Sequence, residues 1–427
     1  MSGRHAWIVI DLGFGDAGKG TVTDFLARDR DAGLVVRFNG GAQAGHNVVA
    51  PDGRHHTFSQ FGAASFVPGV QTLLGPGFLL HPWGMAVEAD HLAVAGVTDA
   101  WSRTAVDARA RVITPYQQAT NRIREQLRGS DAHGTCGVGI GECAADALAH
   151  PGDALHAGDL GDPDRLRARL RAQRDRKWSE VRALPGADRL PDHDLFSDEA
   201  LIDRVIAAWD DVAARLWCTS AAETDALLRR EPRVIFEGAQ GVLLDEDWGF
   251  HPHTTWSRCT PRDALQLLDD RPVTRLGVTR IATVRHGAGP LPTFDPGLTA
   301  ALPEPHNGAD GWQGAFRVGA LDAVLLRYAI AACRGLDGIA LTWLDRCPSP
   351  VPVCNQYADG TTDLPLGRPG DLTHTAQLCR RLLSARPTIE HTDDIIDFVE
   401  DATRLPVVLT SHGPRAGDKR WRGRPRG

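Results

Sequence analysis

The chain has no Cys-x-x-Cys pair among its eight cysteines, which are scattered from position 136 to position 379. Neither a zinc site nor a disulfide framework is signalled by that spacing. It also has no apolar run of the length that a membrane helix needs, about 18 residues, and no internal repeat of the kind that builds solenoids. Positive charge is not in excess: the formal net charge is −7, whereas nucleic-acid binding draws most of its affinity from a strongly basic face. The apolar run Ala6-Trp7-Ile8-Val9-Ile10 begins so early that no signal peptide precedes it, and a cytoplasmic protein is expected. The basic stretch Lys419 to Arg426 reads as a solvated tail, within a C-terminal tail drawn at 416–427.

What is present is a succession of short apolar runs separated by helical stretches. Strands are expected at Ala6 to Leu12, Leu34 to Val36, Thr72 to Leu74, Val234 to Phe236, Leu276 to Ile281, Ile339 to Trp343 and Val407 to Leu409. Helices are expected at Asp162 to Val181, Asp198 to Trp217, Ala320 to Arg334, Leu372 to Leu383 and His391 to Ala402. The pattern predicts an α/β fold, one large domain over residues 1–427 around a mostly parallel sheet. Helical and loop insertions are expected near 81–230 and 295–320. In such sheets ligands bind beyond the carboxyl ends of the strands, and several glycine loops stand there.

The first of these, Gly13-Phe14-Gly15-Asp16-Ala17-Gly18-Lys19-Gly20-Thr21, satisfies two phosphate-binding patterns at once. A dinucleotide site lacks its acidic residue, because the second strand ends in Arg37-Phe38-Asn39. An ordinary phosphate loop lacks the Ser or Thr that should follow the lysine, since Gly20 intervenes. The helix start and Lys19 still favour a phosphate. Asp16 is the unusual member. A carboxylate beside polyphosphate repels it unless a divalent cation bridges them or the carboxylate takes a proton from a second substrate; alternatively Asp16 caps the following helix. The second loop, Asn39 to Asn47, carries Gly40, Gly41, Gly45 and His46, and a histidine there suits a phosphoryl oxygen of changing charge.

Seven blocks in order resemble the adenylosuccinate synthetase family. The family pattern reads G-D-E-G-K-G, G-G-x-N-A-G-H, G-T-x-G-x-G-I-G, F-E-G-A-Q-G-x-L-L-D, V-G-A-G-P-x-P-T, T-K-x-D and S-x-G-P. Here these become Gly15 to Gly20, Gly40 to His46, Gly134 to Gly141, Phe236 to Asp245, His286 to Thr293, Thr342 to Asp345 and Ser411 to Pro414. The resemblance implies a phosphate-loop-like nucleotide-binding fold, GTP (or ATP), Mg2+, a purine nucleoside monophosphate, aspartate or a related amino donor, and a homodimer. It implies that Asp16 is the base and a magnesium ligand, with Gly45 supplying a carbonyl to the metal. Lys19 would hold phosphates and His46 would stabilise the migrating phosphoryl group. Gly15, Gly18, Gly20, Thr21, Trp343, Asp345, Ser411 and Gly413 would bind the triphosphate nucleotide. Gln43, Thr135, Cys136, His150, Gln240 and Thr255 would meet the purine nucleotide, and Arg317 and Gln313 the amino donor.

Departures from the pattern gather at substrate positions. Gln43 stands where the family has Asn, Cys136 where a Thr is common, and His150 where an Arg reaches the substrate phosphate across the dimer. The donor loop, A-T-T-G-R-x-R-R in the family, reads Gly308 to Arg317 with one arginine left. Loss of a charged bidentate contact costs about 1.5–3 kcal/mol. The K of T-K-x-D has become Trp343, expected to stack on a purine. These changes point to a divergent ligase for a modified, guanine or deoxy 6-oxopurine nucleotide. The ordinary enzyme acting on inosine monophosphate, aspartate and GTP, and a catalytically silent nucleotide binder, are the alternatives.

Overall fold

The computed structural model describes residues 3–304 and 312–423. The opening apolar run is the strand His5–Asp11, buried throughout after its first residue. A strand with no exposed face needs a layer on each side, as in parallel sheets. Its side chains supply both: Ile8 and Ile10 join one core cluster with Phe236, Leu341 and Tyr328, while Trp7 and Val9 join another with Ile235, Leu26 and Leu409. The alternation is that of a strand's two faces.

This strand lies inside a ten-stranded sheet. In order across the sheet the members are Lys419–Trp421, Val407–Ser411, Gly338–Thr342, Val273–Arg280, His5–Asp11, Arg233–Glu237, Leu34–Arg37, Gln71–Leu74, Thr104–Asp107 and Trp217–Thr219. All neighbours pair in parallel except Lys419–Trp421. Each expected strand falls within this sheet, so the carboxyl ends of nine strands share one edge. The loops after His5–Asp11, Leu34–Arg37, Arg233–Glu237, Gly338–Thr342 and Val407–Ser411 therefore meet there.

Other parts differ from the reading of the sequence. A second sheet runs in the order Ala282–His286, Phe316–Asp322, Val351–Tyr357, Pro387–Thr392. Two expected helices start later because strands occupy their first residues. Asp322 caps the helix Ala323–Cys333 by accepting from the amides of Val324 and Leu325 (3.0 and 3.1 Å), and Asp394 caps Ile395–Thr403 in the same manner. The segment 81–230 carries helices around a core that includes Tyr116 and Trp209 and is shared with Phe58, Phe61 and Leu74 from outside the segment. It also returns twice to the main sheet, as Thr104–Asp107 and Trp217–Thr219.

The basic C-terminal stretch is not simply solvated. Lys419–Trp421 is an edge strand, Lys419 is buried, and the Trp421 indole N–H donates to Asp29 at 3.0 Å; residues 424–427 lie outside the described part. Among the described residues no helix is long and apolar enough to cross a membrane.

Candidate active site

The glycine loop after the first strand turns through left-handed backbone at Gly15, Asp16 and Gly18, with φ of 93°, 62° and 98°. The helix Lys19–Asp29 follows at once, with Gly18 as its N-cap and no side-chain capping bond. Asp16 does not cap it, so the capping alternative falls. Its half-buried carboxylate instead meets His286, Oδ2 to Nε2, at 3.0 Å. Burial pushes Asp16 up, but the hydrogen bond to His286 and the charges of Arg280 and Lys19 outweigh it and hold the carboxylate below its ordinary range. An ionised carboxylate on a loop with open helix amides is equipped both to accept a proton and to face a cation.

Below the loop lies a group that the sequence did not single out. Asp11, the last residue of the strand, accepts from the amides of Gly13 and Ala17 (2.8 Å each) and from the Lys19 ammonium at 3.0 Å. Both side chains of that ion pair are buried. Asp11 thus shapes the loop and holds the phosphate lysine in place; its only signal in the sequence is an acidic residue closing a strand just before the glycines.

Gly20 also has a physical explanation. A Cβ there would stand 2.8 Å from the His46 Cβ and 3.1 Å from its carbonyl carbon. The Ser or Thr of an ordinary phosphate loop is excluded because the strand His46–Val49 crosses the helix at that point. His46 is fixed from its other side: its Nδ1 donates to Glu237 Oε1 at 2.5 Å, and the second Glu237 oxygen accepts from the amide of Ala63 at 3.0 Å. Burial lowers the imidazole despite the attraction of Glu237. Glu237 is pushed up by its own burial, but His46 and Arg37 prevail and keep it ionised. With Nδ1 committed, Nε2 is the nitrogen that remains for a ligand. Glu237 belongs to the F-E-G-A-Q-G block, so its position was visible and its role was not.

These groups line one cavity of about 1000 Å³, at the upper end of small-molecule sites. Gly15, Asp16, Gly18, Lys19, Gly20, Thr21, Gly45 and His46, from the two glycine loops, line one part of it, and Trp343, Asp345, Ser411 and Gly413 line it as well. Gln43, Thr135, Cys136, Gln240, Thr255 and Gln313 line the remainder. Both polar atoms of the Gln43 side chain and the Gln240 oxygen are buried without a hydrogen-bond partner. Unmet polar groups of this kind are rare unless something outside the protein meets them.

Several expected contacts are placed differently. Arg317 does not line the cavity. Its guanidinium donates to the carbonyls of Gly287 and Gly289 (3.0 Å to the latter), so the last arginine of the donor loop braces a turn. Arg285 braces the same turn through Ala288 and Pro290 and is pushed down to about 9, chiefly by burial. His150 ends the helix Ile140–Ala149, exposed and away from the cavity lining. The residues Gly308 to Gly311 of the donor loop lie outside the described part. In the loop after Gly134, the amides of Gly134 and Thr135 are taken by Glu125 (2.6 and 3.1 Å), while burial pushes the Cys136 thiol up to about 11 and keeps it neutral. Trp343 adopts φ 68°, and the Arg280 guanidinium stacks on its ring at 3.7 Å, held by Glu304 at 3.2 Å. That indole is part of an Arg-Trp-Glu assembly and not simply a purine platform. The cavity also contains His133, His251 and His253, which sequence reasoning missed; burial and Arg285 bring His253 down to about 4.

A family model described as adenylosuccinate synthetase matches residues 8–418. The chain is 31% identical to the adenylosuccinate synthetase of Myxococcus xanthus over 447 residues, covering 96% of this chain and 97% of that protein. Its fold is similar to that of a fully ligated adenylosuccinate synthetase from Plasmodium falciparum, with a TM-score of 0.77 at 19% identity, covering 98% of this chain and 99% of that one. It is also similar to the succinoaminodeoxyadenylate synthetase of cyanophage S-2L bound to dGMP and dATP as an energy donor, with a TM-score of 0.61 at 16% identity and coverage of 98% and 95%.

Proposed function

The chain belongs to the adenylosuccinate synthetase family, and on that premise we propose that it is a C–N ligase that activates the 6-oxygen of a purine nucleoside monophosphate with a triphosphate and then exchanges it for an amine. The observation that carries this reading is the convergence of Asp16, Lys19 and His46 on a cavity that also holds the unmet amide of Gln43 and the unmet side-chain oxygen of Gln240. Asp16 accepts the proton of the purine ring nitrogen as O6 takes the γ-phosphoryl group. Lys19 and the open amides of the helix hold the phosphates. His46 donates to the phosphoryl oxygens through Nε2 in its doubly protonated form, which the anionic Glu237 on Nδ1 favours. The amine of the donor then attacks C6, and phosphate leaves with the ring oxygen. Positioning and electrostatics do most of the work in a transfer of this kind.

The donor set also fits magnesium, which prefers hard oxygen ligands and shares its sphere with substrate phosphates and water. The Asp16 carboxylate and the Gly45 carbonyl belong to one cavity wall and would hold it. When bound, the ion neutralises charge on the phosphates.

For the phosphoryl donor we propose GTP. Asp345 faces the cavity, and an acceptor-only carboxylate matches the ring N–H and 2-amino group of guanine, whereas adenine presents an acceptor at the equivalent ring nitrogen. For the substrate, the longer Gln43 and the thiol of Cys136 support a 6-oxopurine nucleotide other than inosine monophosphate. The dGMP bound to the cyanophage enzyme makes guanine deoxynucleotides the first analogue to try. Aspartate is the donor that the family supplies. We further propose a cytoplasmic homodimer, supported by the exposed Leu148 and Trp256 at the cavity rim, the former on the helix that His150 ends.

The test is phosphate release from mixtures of magnesium, GTP or ATP, aspartate, and inosine or guanine monophosphates in ribo and deoxy form. Turnover that needs every component is expected. Tight nucleotide binding without turnover in any mixture would favour the silent binder. Asp16→Ala is expected to abolish turnover and spare triphosphate binding; equal loss of both would make Asp16 structural.

A further inference from the structure

We infer that His286 is the positioning residue for Asp16: its imidazole orients the carboxylate that deprotonates the purine, a role that rests on the reading of Asp16 given above. The two side chains meet at 3.0 Å, Nε2 to Oδ2, on the cavity wall. They come from different sheets. Asp16 sits at φ 62° within a run that also places Gly15 and Gly18 in left-handed backbone. Asp11 holds the loop backbone through the amides of Gly13 and Ala17, and the Asp16 carboxylate caps no helix. The contact with His286 supplies an orientation to the carboxylate from outside the loop.

His286 is suited to supply it. It closes the strand Ala282–His286 opposite Phe316, with ring centroids 5.1 Å apart. The turn that follows is tied on every side: the amide of Gly287 donates to Ala315 at 2.9 Å, Arg285 holds the Ala288 carbonyl at 2.9 Å, and Arg317 holds Gly289 at 3.0 Å. This also gives the diverted Arg317 a purpose, since it stiffens the segment that carries the imidazole. A carboxylate oxygen accepts more than one hydrogen bond, so a donor on Oδ2 fixes the group without consuming its capacity to take a proton. The first position of V-G-A-G-P is valine in the family pattern and histidine here; valine has no hydrogen-bond donor to offer Asp16.

His286→Val and His286→Gln separate this role from packing. The valine variant is expected to lose about 10- to 100-fold in kcat, the scale of a catalytic group displaced by up to an ångström, with KM for both nucleotides within about twofold. The glutamine variant, which keeps an N–H donor, is expected to recover most of the loss. Unchanged kcat in the valine variant of an active enzyme would overturn the role. So would a failure of glutamine to rescue in a protein whose melting temperature is normal. If the valine variant does not fold, the glutamine variant decides alone: kcat close to wild type at unchanged KM supports the role, and a loss as large as that expected for valine refutes it. Absence of turnover in the wild-type protein would instead remove Asp16 as the base, and the role of His286 with it.

Discussion

Replacing Gly20 with alanine tests whether the crossing of helix and strand sets the position of His46. The new Cβ would lie 2.8 Å from the His46 Cβ, 3.1 Å from its carbonyl carbon and 3.2 Å from its Cα. Carbon atoms in contact rest at about 3.5–4.0 Å, so the strand His46–Val49 has to retreat by roughly 0.7 Å or more, and two of the three atoms are backbone. Two stability terms oppose each other. Alanine is favoured over glycine inside a helix by about 1 kcal/mol, and overpacking costs about 1–3 kcal/mol. The net loss is on the order of 1 kcal/mol, a fall of a few degrees in melting temperature at most. Catalysis has far less tolerance, because groups must be held within about 0.5 Å and an ångström of misplacement costs about 100-fold. We expect kcat to fall about 10- to 100-fold, with KM for the triphosphate changing much less because Lys19 and the helix amides stay in place. Steady-state phosphate release and a melting curve on the same preparation measure both quantities. Unchanged kcat would show that the strand yields without moving the imidazole, and would refute the account of Gly20.

Three further outcomes follow from the same geometry. Glu237→Gln keeps a partner for His46 Nδ1 but removes the charge behind it; a charged hydrogen bond exceeds a neutral one by about 1–1.5 kcal/mol, so kcat should drop about tenfold at constant KM, and a proportional rise in KM would contradict the assignment. Asp345→Asn should lower the kcat/KM ratio of GTP to ATP by about tenfold or more, whereas an unaltered ratio would mean that the base is read elsewhere. Asp245 accepts from the amides of Asp247, Trp248 and Cys259 (2.8, 3.2 and 2.5 Å), yet burial pushes it up to about 7. A carboxyl raised in the folded state stabilises fully below its unfolded pKa and loses that contribution as pH rises through the folded value. Stability should therefore fall from pH 4 to pH 7 by on the order of a few kcal/mol, read as a lower melting temperature, and Asp245→Asn should flatten the slope; an equal slope in both proteins would refute it.

The main sheet was legible because its strands are buried on both faces, and an unbroken apolar run such as Ala6 to Ile10 has no other comfortable place. The meeting of the two glycine loops was legible for a related reason: glycines, a lysine and a histidine directly after parallel strands stand at the sheet edge where loops gather. The second sheet was not. Its strands Val351–Tyr357 and Pro387–Thr392 mix exposed and buried positions and include two prolines, which weakens both the apolar run and the alternation. The partners Asp11, Glu237 and His286 were hidden for a different reason. Each acts through a residue distant in the sequence or through a turn, and a lone acid or histidine carries no period that would reveal its neighbour.

That division of labour accounts for the departures at the donor loop and at His286, whereas Gln43 and Trp343 show that loops of the main sheet have changed as well. The proposed catalytic trio hangs on loops from the main sheet, where the Asp11 ion pair, the Gly20 crossing and the Glu237 contact each fix a group through several bonds at once. A substitution there disturbs several constraints together, and the trio is intact. The second sheet carries Arg317, turned to the carbonyls of a turn, and His286, which reaches across to Asp16. Recognition can drift on such a surface while the base and phosphate groups keep their geometry, provided that the contact between the sheets persists. The Asp16–His286 pair is one such contact, so a change in substrate preference that leaves kcat intact should spare it.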